Sequence, residues 1–188
     1  MLQAIKDTMG TNQLDVLRPK DSTDQWHTPQ WVIDKSRAVL GGIGLDPASS
    51  DIANQRVGAA VFYTALDNPL HRDWFGSVFV NPPGGKTGRT LPKAFWNKLL
   101  TEIDLGNVPH AIFLSYRLEM VRTTQLRCKH SLLEYPTCIF SRRLVFVREN
   151  GEEVCGTMSP SCITYVPGSI NNTKLFVKEF GDSGLIIG

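Results

Sequence analysis

Apolar positions along this chain fall into two kinds of run. The first kind is short and wholly apolar: VFV within SVFVN at 77–81 and AIFL within HAIFLSY at 110–116. A strand apolar on both faces is one covered by helices on both sides, so these blocks predict inner strands of a covered parallel sheet. The second kind recurs at helical spacing. In LPKAFWNKLLTEIDLG, Leu91, Phe95, Leu99 and Ile103 line one side of a helix that Gly106 closes. In HTPQWVIDKSRAVLGG, Thr28 can cap a helix, Pro29 suits its first turn and Gly41-Gly42 ends it; Trp31, Ile33, Ala38 and Leu40 form the expected buried side. LEMVRTTQLRCKH reads as a further helix.

The remaining segments fill in the order. IGLDPASS predicts a short strand, Ile43 to Leu45, ending in Asp46-Pro47. DIANQRVGAAVFYT gives a helical turn and then an extended VFYT, and LDNPLHRDW is a loop. TCIF, RLVFVRENGEEVCG and SCITYV read as strands, with Asn150-Gly151 as a hairpin turn. Alternation first and hairpins last predict an α/β fold, with a mostly parallel sheet and antiparallel C-terminal strands. Residues 1–24 are polar and weakly patterned and read as a flexible arm with a short helix near Asp15–Leu17; 25–188 reads as a single domain.

Composition narrows the class. The chain has 188 residues, 41% hydrophobic and 20% charged, ordinary for a globular protein, and a net charge of +2 that suits a polyanionic partner without requiring one. Cys128, Cys138, Cys155 and Cys162 form no C-x-x-C pair, which argues for free thiols in a reducing cytoplasm and against a zinc knuckle; no metal is expected. No apolar run approaches 18 residues and no export leader is visible, so no membrane role is expected.

The segment SVFVNPPGGKTGRT, 77–90, carries two competing motifs. Gly85-Lys86-Thr87 supplies the second half of a phosphate-binding loop. The first glycine of that loop should fall at position 80, which is Val80 inside the apparent strand, and Pro82 and Pro83 lack the N–H groups that cradle phosphate. The other motif fares better. Ligands of open α/β sheets bind at the carboxyl ends of strands, where Asn81 would stand. Two prolines fix the backbone so that the Asn81 side chain and the Pro82 carbonyl converge on one NH₂ group, orienting it for attack on an electrophilic methyl donor.

Four stretches in order carry a resemblance: WHTP at Trp26–Pro29, LDPASS at Leu45–Ser50, LDNPLHRDWFGSVFVNPP at Leu66–Pro83, and AIFLSY. Together they resemble the phage-type, Dam-like DNA N6-adenine methyltransferases. The resemblance implies a class I, Rossmann-like fold, S-adenosylmethionine as methyl donor, duplex DNA with a flipped adenine as acceptor, and a phage or prophage origin with work in the bacterial host cytoplasm. It places Thr28, Pro29, Asp46, Pro47 and Asp67 at the cofactor, with Asp67 toward the adenine ring. It makes Asn81, Pro82, Pro83 and Gly84 the catalytic motif.

The chain departs from the family at Gly84, where an aromatic residue ordinarily stacks on the flipped base. Trp96, Phe113 and Tyr116 are the candidate replacements, and Tyr116 is the best placed, at the end of FLSY. Lys86 and Arg89 are candidate substrate contacts from the glycine loop, with Arg142-Arg143 a second candidate for phosphate. Gly84 also leaves open a second class of function, a methyltransferase-like protein that binds DNA or a partner and transfers slowly or not at all. Asp46 and Asp67 have plain readings as turn residues, and Thr28 as a helix cap.

Overall fold

A computed structural model describes residues 27–83, 91–147, 152–154 and 160–188. The N-terminal arm, Trp26, Gly84, Lys86, Arg89, Cys155 and the Asn150-Gly151 turn lie outside these residues. The helices and strands in chain order are α1 (Gln30–Leu40), β1 (Leu45–Asp46), α2 (Asp51–Val57), β2 (Val61–Phe62), β3 (Val78–Val80), α3 (Leu91–Asp104), β4 (His110–Ser115), α4 (Glu119–Arg127), β5 (Thr137–Phe140), β6 (Phe146–Val147), β7 (Glu153–Val154), β8 (Cys162–Pro167), α5 (Thr173–Phe180) and β9 (Gly184–Ile187).

Seven strands form one sheet in the order β2-β1-β3-β4-β8-β5-β9. The first four are mutually parallel; β8 runs antiparallel between β4 and β5, and β9 is antiparallel to β5. This is the expected Rossmann-like arrangement, parallel first and antiparallel last. The ribbon β6-β7 pairs by itself, and a bridge from Val147 to His27 ties it to the segment before α1.

Two apolar layers follow from the two-residue period of the inner strands. Phe79, Ile112, Leu114, Ile163 and Tyr165 pack with Val32, Ile33, Val39 and Leu40 of α1 and Phe176 and Phe180 of α5. The alternate residues Val78, Val80, Ala111, Phe113 and Val166 pack with Phe95, Trp96 and Leu99 of α3 and Met120 of α4. The sheet is therefore covered on both faces, which is why VFV and AIFL show no polar alternation.

Some expectations need correction. Thr28 does not cap α1; Pro29 holds the N-cap position without a side-chain bond, while Gly41 closes the helix in the left-handed conformation at φ 67°. Trp31 and Ala38 are exposed, and Val32 and Val39 take their places in the core. Trp31 lies outside that face because its ring packs edge-on against Phe140 and beneath the Lys35 ammonium. In α3 it is Glu102, not Ile103, that is fully buried, held by Lys98 and by the Asn107 amide at 2.7 Å. The sequence reading assigned no element after SCITYV. There α5 and β9 extend the fold, and β9 can approach β5 because Gly184 has no Cβ; one would lie 2.0 Å from the Ile139 carbonyl oxygen.

At the amino ends of β3 and β4, His110 is buried with one ring nitrogen 2.9 Å from Ser77 Oγ and the other 3.3 Å from the Tyr165 hydroxyl. Burial pushes its pKa below the ordinary 6.5, and a bond to the Leu40 carbonyl offsets this only in part. The unfolded chain thus takes up the proton first. The stability this ring confers is complete above pH 6.5 and is lost as pH falls through the lower folded value. Thermal unfolding between pH 7.5 and 5 tests this: His110→Gln should lower Tm at pH 7.5 yet lose less than the parent protein on acidification. Equal losses in both proteins would mean that His110 does not titrate with folding.

Candidate functional site

The chain passes from β1 outward to β2 and then returns to the other side of β1 as β3, so the strand order reverses between β1 and β3. In open α/β sheets a cleft opens at such a reversal, beyond the carboxyl ends of the two strands. Two predicted segments end there. Asp46-Pro47 closes β1, and Asn81-Pro82-Pro83 follows β3 directly.

Asp46 is 3% exposed, and its Oδ1 accepts the Ala48 N–H at 3.0 Å. Burial raises its pKa from 3.8 to about 6, with the Ala48 amide pulling the other way. Ser49 stands near enough to favour the carboxylate slightly, but its buried hydroxyl makes no hydrogen bond of ordinary geometry among the described residues. An ionisable group and an unsatisfied hydroxyl, both buried at the carboxyl end of β1 beside the strand reversal, are what a polar ligand would satisfy. The sequence reading missed Ser49. Its signal was the run Ser49-Ser50 after Asp-Pro, and only Ser50 is spent as a helix cap, on the Ala53 N–H of α2.

Asp67 lies beyond β2, at the same edge. Its Oδ2 accepts from the Thr64 N–H and the Thr64 hydroxyl, each at 2.8 Å, in a capping box that closes the turn Ala65–Asp67. Those bonds from Thr64 hold its pKa below the ordinary carboxylate value. Asp67 therefore serves its own loop, while Oδ1 stands 4.0 Å from Arg72. The loop is tightly made. Asn68 has φ 53°, the one positive value outside glycine among the described residues. Trp74 donates to the Pro69 carbonyl at 2.8 Å, and the Tyr63 hydroxyl to the Asp73 carbonyl at 2.9 Å.

Thr28 and Asn81, 53 positions apart, meet in space: the Asn81 amide nitrogen donates to Thr28 Oγ1 at 3.0 Å. That contact fixes the amide and leaves its Oδ1 as the available acceptor. Pro29 and Pro82 are buried on either side. Pro83 is half-buried, and Gly84 lies outside the described residues.

The candidate rings separate cleanly. Trp96 and Phe113 are fully buried and pack edge-to-face at 5.2 Å, so neither can stack on a ligand. Tyr116 is half-buried, and the register Val80↔Phe113, continued, puts it on the same sheet face as Asn81 and one pleat farther out. The guanidinium of exposed Arg117 stands 5.4 Å from its ring centre. Among the described residues, no group of three or more His, Cys, Asp or Glu could hold a metal, and no helix is long and apolar enough to cross a membrane.

Residues 16–105 match the family model of DNA N-6-adenine-methyltransferase (Dam). The resemblance read from the motifs is borne out over that span, which contains the candidate cofactor residues and the Asn81–Gly84 motif but not AIFLSY, Phe113, Tyr116, Arg142 or Arg143. No curated protein and no solved structure matches the chain.

A rise from 3.8 to about 6 at Asp46 corresponds to roughly 3 kcal/mol against the ionised form. A raised pKa means that the stability contribution is present below 3.8 and is lost as pH rises through about 6. Asp46→Asn keeps the acceptor for Ala48 and removes the charge. It should stabilise the ligand-free protein at pH 8 by about 1–3 kcal/mol in urea unfolding, with the gain vanishing near pH 4. A variant no more stable than the parent at pH 8 would refute a raised Asp46 pKa.

Proposed function

We propose that this protein transfers a methyl group from S-adenosylmethionine to N6 of an adenine flipped out of duplex DNA, a reading supported by the match of residues 16–105 to the Dam family model. The observation that carries the reading is the placement of the Asn81 amide, anchored by Thr28, at the strand reversal one strand away from buried Asp46.

S-adenosylmethionine supplies an electrophilic methyl carried on a sulfonium. Asp46, with Ser49 beside it, would accept from the donor's cationic or hydroxyl groups, and Pro29 and Pro47 would wall the pocket. Such contacts favour the carboxylate, so Asp46 would give up its proton as the donor binds. Asp67 holds the loop Thr64–Trp74, the side on which the donor's adenine would rest; its role is to shape that wall.

Asn81 does the chemical positioning. With Nδ2 engaged by Thr28, Oδ1 and the Pro82 carbonyl are two acceptors for the two N–H bonds of an exocyclic amine. Accepting both turns the nitrogen lone pair out of conjugation with the ring and toward the methyl. As the C–N bond forms, the methyl–sulfur bond would break with its electron pair left on sulfur as a thioether, and one N–H proton would pass to solvent. No residue with a strongly shifted pKa is needed as base, because alignment supplies most of the rate. Tyr116, on the face of Asn81, is the ring placed to stack on the extruded base in place of the aromatic that Gly84 lacks.

The test is incubation with labelled S-adenosylmethionine and unmethylated duplex DNA, followed by nucleoside identification. N6-methyladenine should form, Asn81→Ala should lower kcat by about 100-fold or more, and Tyr116→Ala should lower kcat/KM by about 5- to 100-fold. Label in another nucleoside would change the acceptor. Absence of label in any nucleoside, with DNA still bound, would favour the methyltransferase-like binding protein.

A further inference from the structure

The ligand edge of the sheet is divided by charge. Over β2, β1 and β3 it carries the carboxyl groups of Asp67 and Asp46. Over β4, β8 and β5 it carries arginines. Arg117 follows the carboxyl end of β4, and Arg142 and Arg143 follow the carboxyl end of β5. These two segments are joined through the start of β8: Leu118 N–H donates to the Pro160 carbonyl at 3.0 Å, the Ser161 hydroxyl to the Tyr116 carbonyl at 3.2 Å, and Phe140 N–H to the Ser161 carbonyl at 3.2 Å.

All three arginines are exposed, and none has a carboxylate partner among the described residues. Two acids that adjoin these segments are already engaged, Glu119 by Arg122 at 3.0 Å and Asp182 by Lys35 at 2.5 Å. An exposed arginine without an acid is cheap to keep in water, but three at one end of the sheet, flanked by neutralised acids, form a local positive field. β4 and β5 stand two strand spacings apart, about 10 Å, which covers about three successive phosphates of one DNA strand at roughly 3.4 Å of axial rise each.

We propose that Arg117, Arg142 and Arg143 form the phosphate-binding half of the ligand edge, gripping the DNA backbone beside the target base while the acidic half takes the cationic methyl donor. The proposal rests on the reading of the chain as a DNA methyltransferase, and it adds the residues that position the strand. Asn81 lies at the border of the two halves, where base and methyl would meet. Arg117 has two partners to choose between, the Tyr116 ring and a phosphate. Its release from the ring on binding DNA would bare the face that the base would stack on.

The experiment is DNA binding by the full chain, followed by fluorescence anisotropy of a labelled unmethylated duplex at 50–300 mM NaCl (a range of about one Debye-length halving). Arg142→Ala/Arg143→Ala should lower the slope of log affinity against log salt by about 2, and Arg117→Ala by about 1. Arg127→Ala, at the far end of α4, should leave the slope unchanged. S-adenosylmethionine binding, read by calorimetry, should be the same in all variants. An unchanged slope in the double variant, or a parent protein that binds no DNA, overturns the proposal. A lowered slope in a protein that transfers no methyl group would uphold this surface and sink the methyltransferase reading instead.

Discussion

The candidate site depends on one topological constraint: after β2 the chain must return past β1 and resume beside it as β3. Because these strands are parallel, their carboxyl ends share an edge, and the reversal there is where ligands of open α/β sheets bind. The return segment, 63–77, has to be rigid for β3 to start in register. It is braced by the Asp67 capping box, the strained Asn68, the Trp74 indole and the Tyr63 hydroxyl. At its end, Ser77 accepts from both Gly44 and Leu45. A Cβ on Gly44 would stand 3.2 Å from the Ser77 nitrogen, so a glycine at this position lets the two strands close without strain.

Two buried ionisable groups sit at opposite ends of the same sheet and differ in how they are satisfied. His110, at the amino ends, has hydroxyl partners on both ring nitrogens, from Ser77 and Tyr165, and it locks β3, β4 and β8 together. Asp46, at the carboxyl ends, has a single backbone donor and an underused serine hydroxyl next to it. The first is architecture, since every polar atom has found a protein partner. The second is left in polar deficit within the protein, the pattern expected of a group that a ligand completes.

Much of this was legible in the sequence, for physical reasons that differ by element. Strands covered on both faces must be apolar throughout, so β3 and β4 stood out at once. Helices closed by glycine, such as α1 and α3, announced their ends. The face of α1 was harder: Trp31 looks like core by hydrophobicity, yet its ring is spent on Phe140 and Lys35 at the rim. Glu102 could not be read as buried, because burial of a carboxylate depends on Lys98 and Asn107 meeting it in space. The insertion of β8 between β4 and β5 is likewise a long-range pairing with no local signature. At the site, Asp46 and Asn81 were legible because Asp-Pro and Asn-Pro-Pro end apolar strands. The Thr28 contact to Asn81 was not, since nothing local links positions 53 apart.

Gly84 is then less of a defect than it is by sequence alone. A motif aromatic one residue past the second proline places a ring near the amide by following the backbone of its own loop. The same position in space can be supplied by the adjacent strand, provided the register puts a ring on the right face. Here Val80↔Phe113 pairing does so: Leu114 falls opposite Asn81, and Tyr116 falls one pleat beyond on the same side. Tyr116 directly follows β4 and packs partly against the core, so its ring is already ordered by packing. In our reading the aromatic function has moved from the motif to the residue that follows β4.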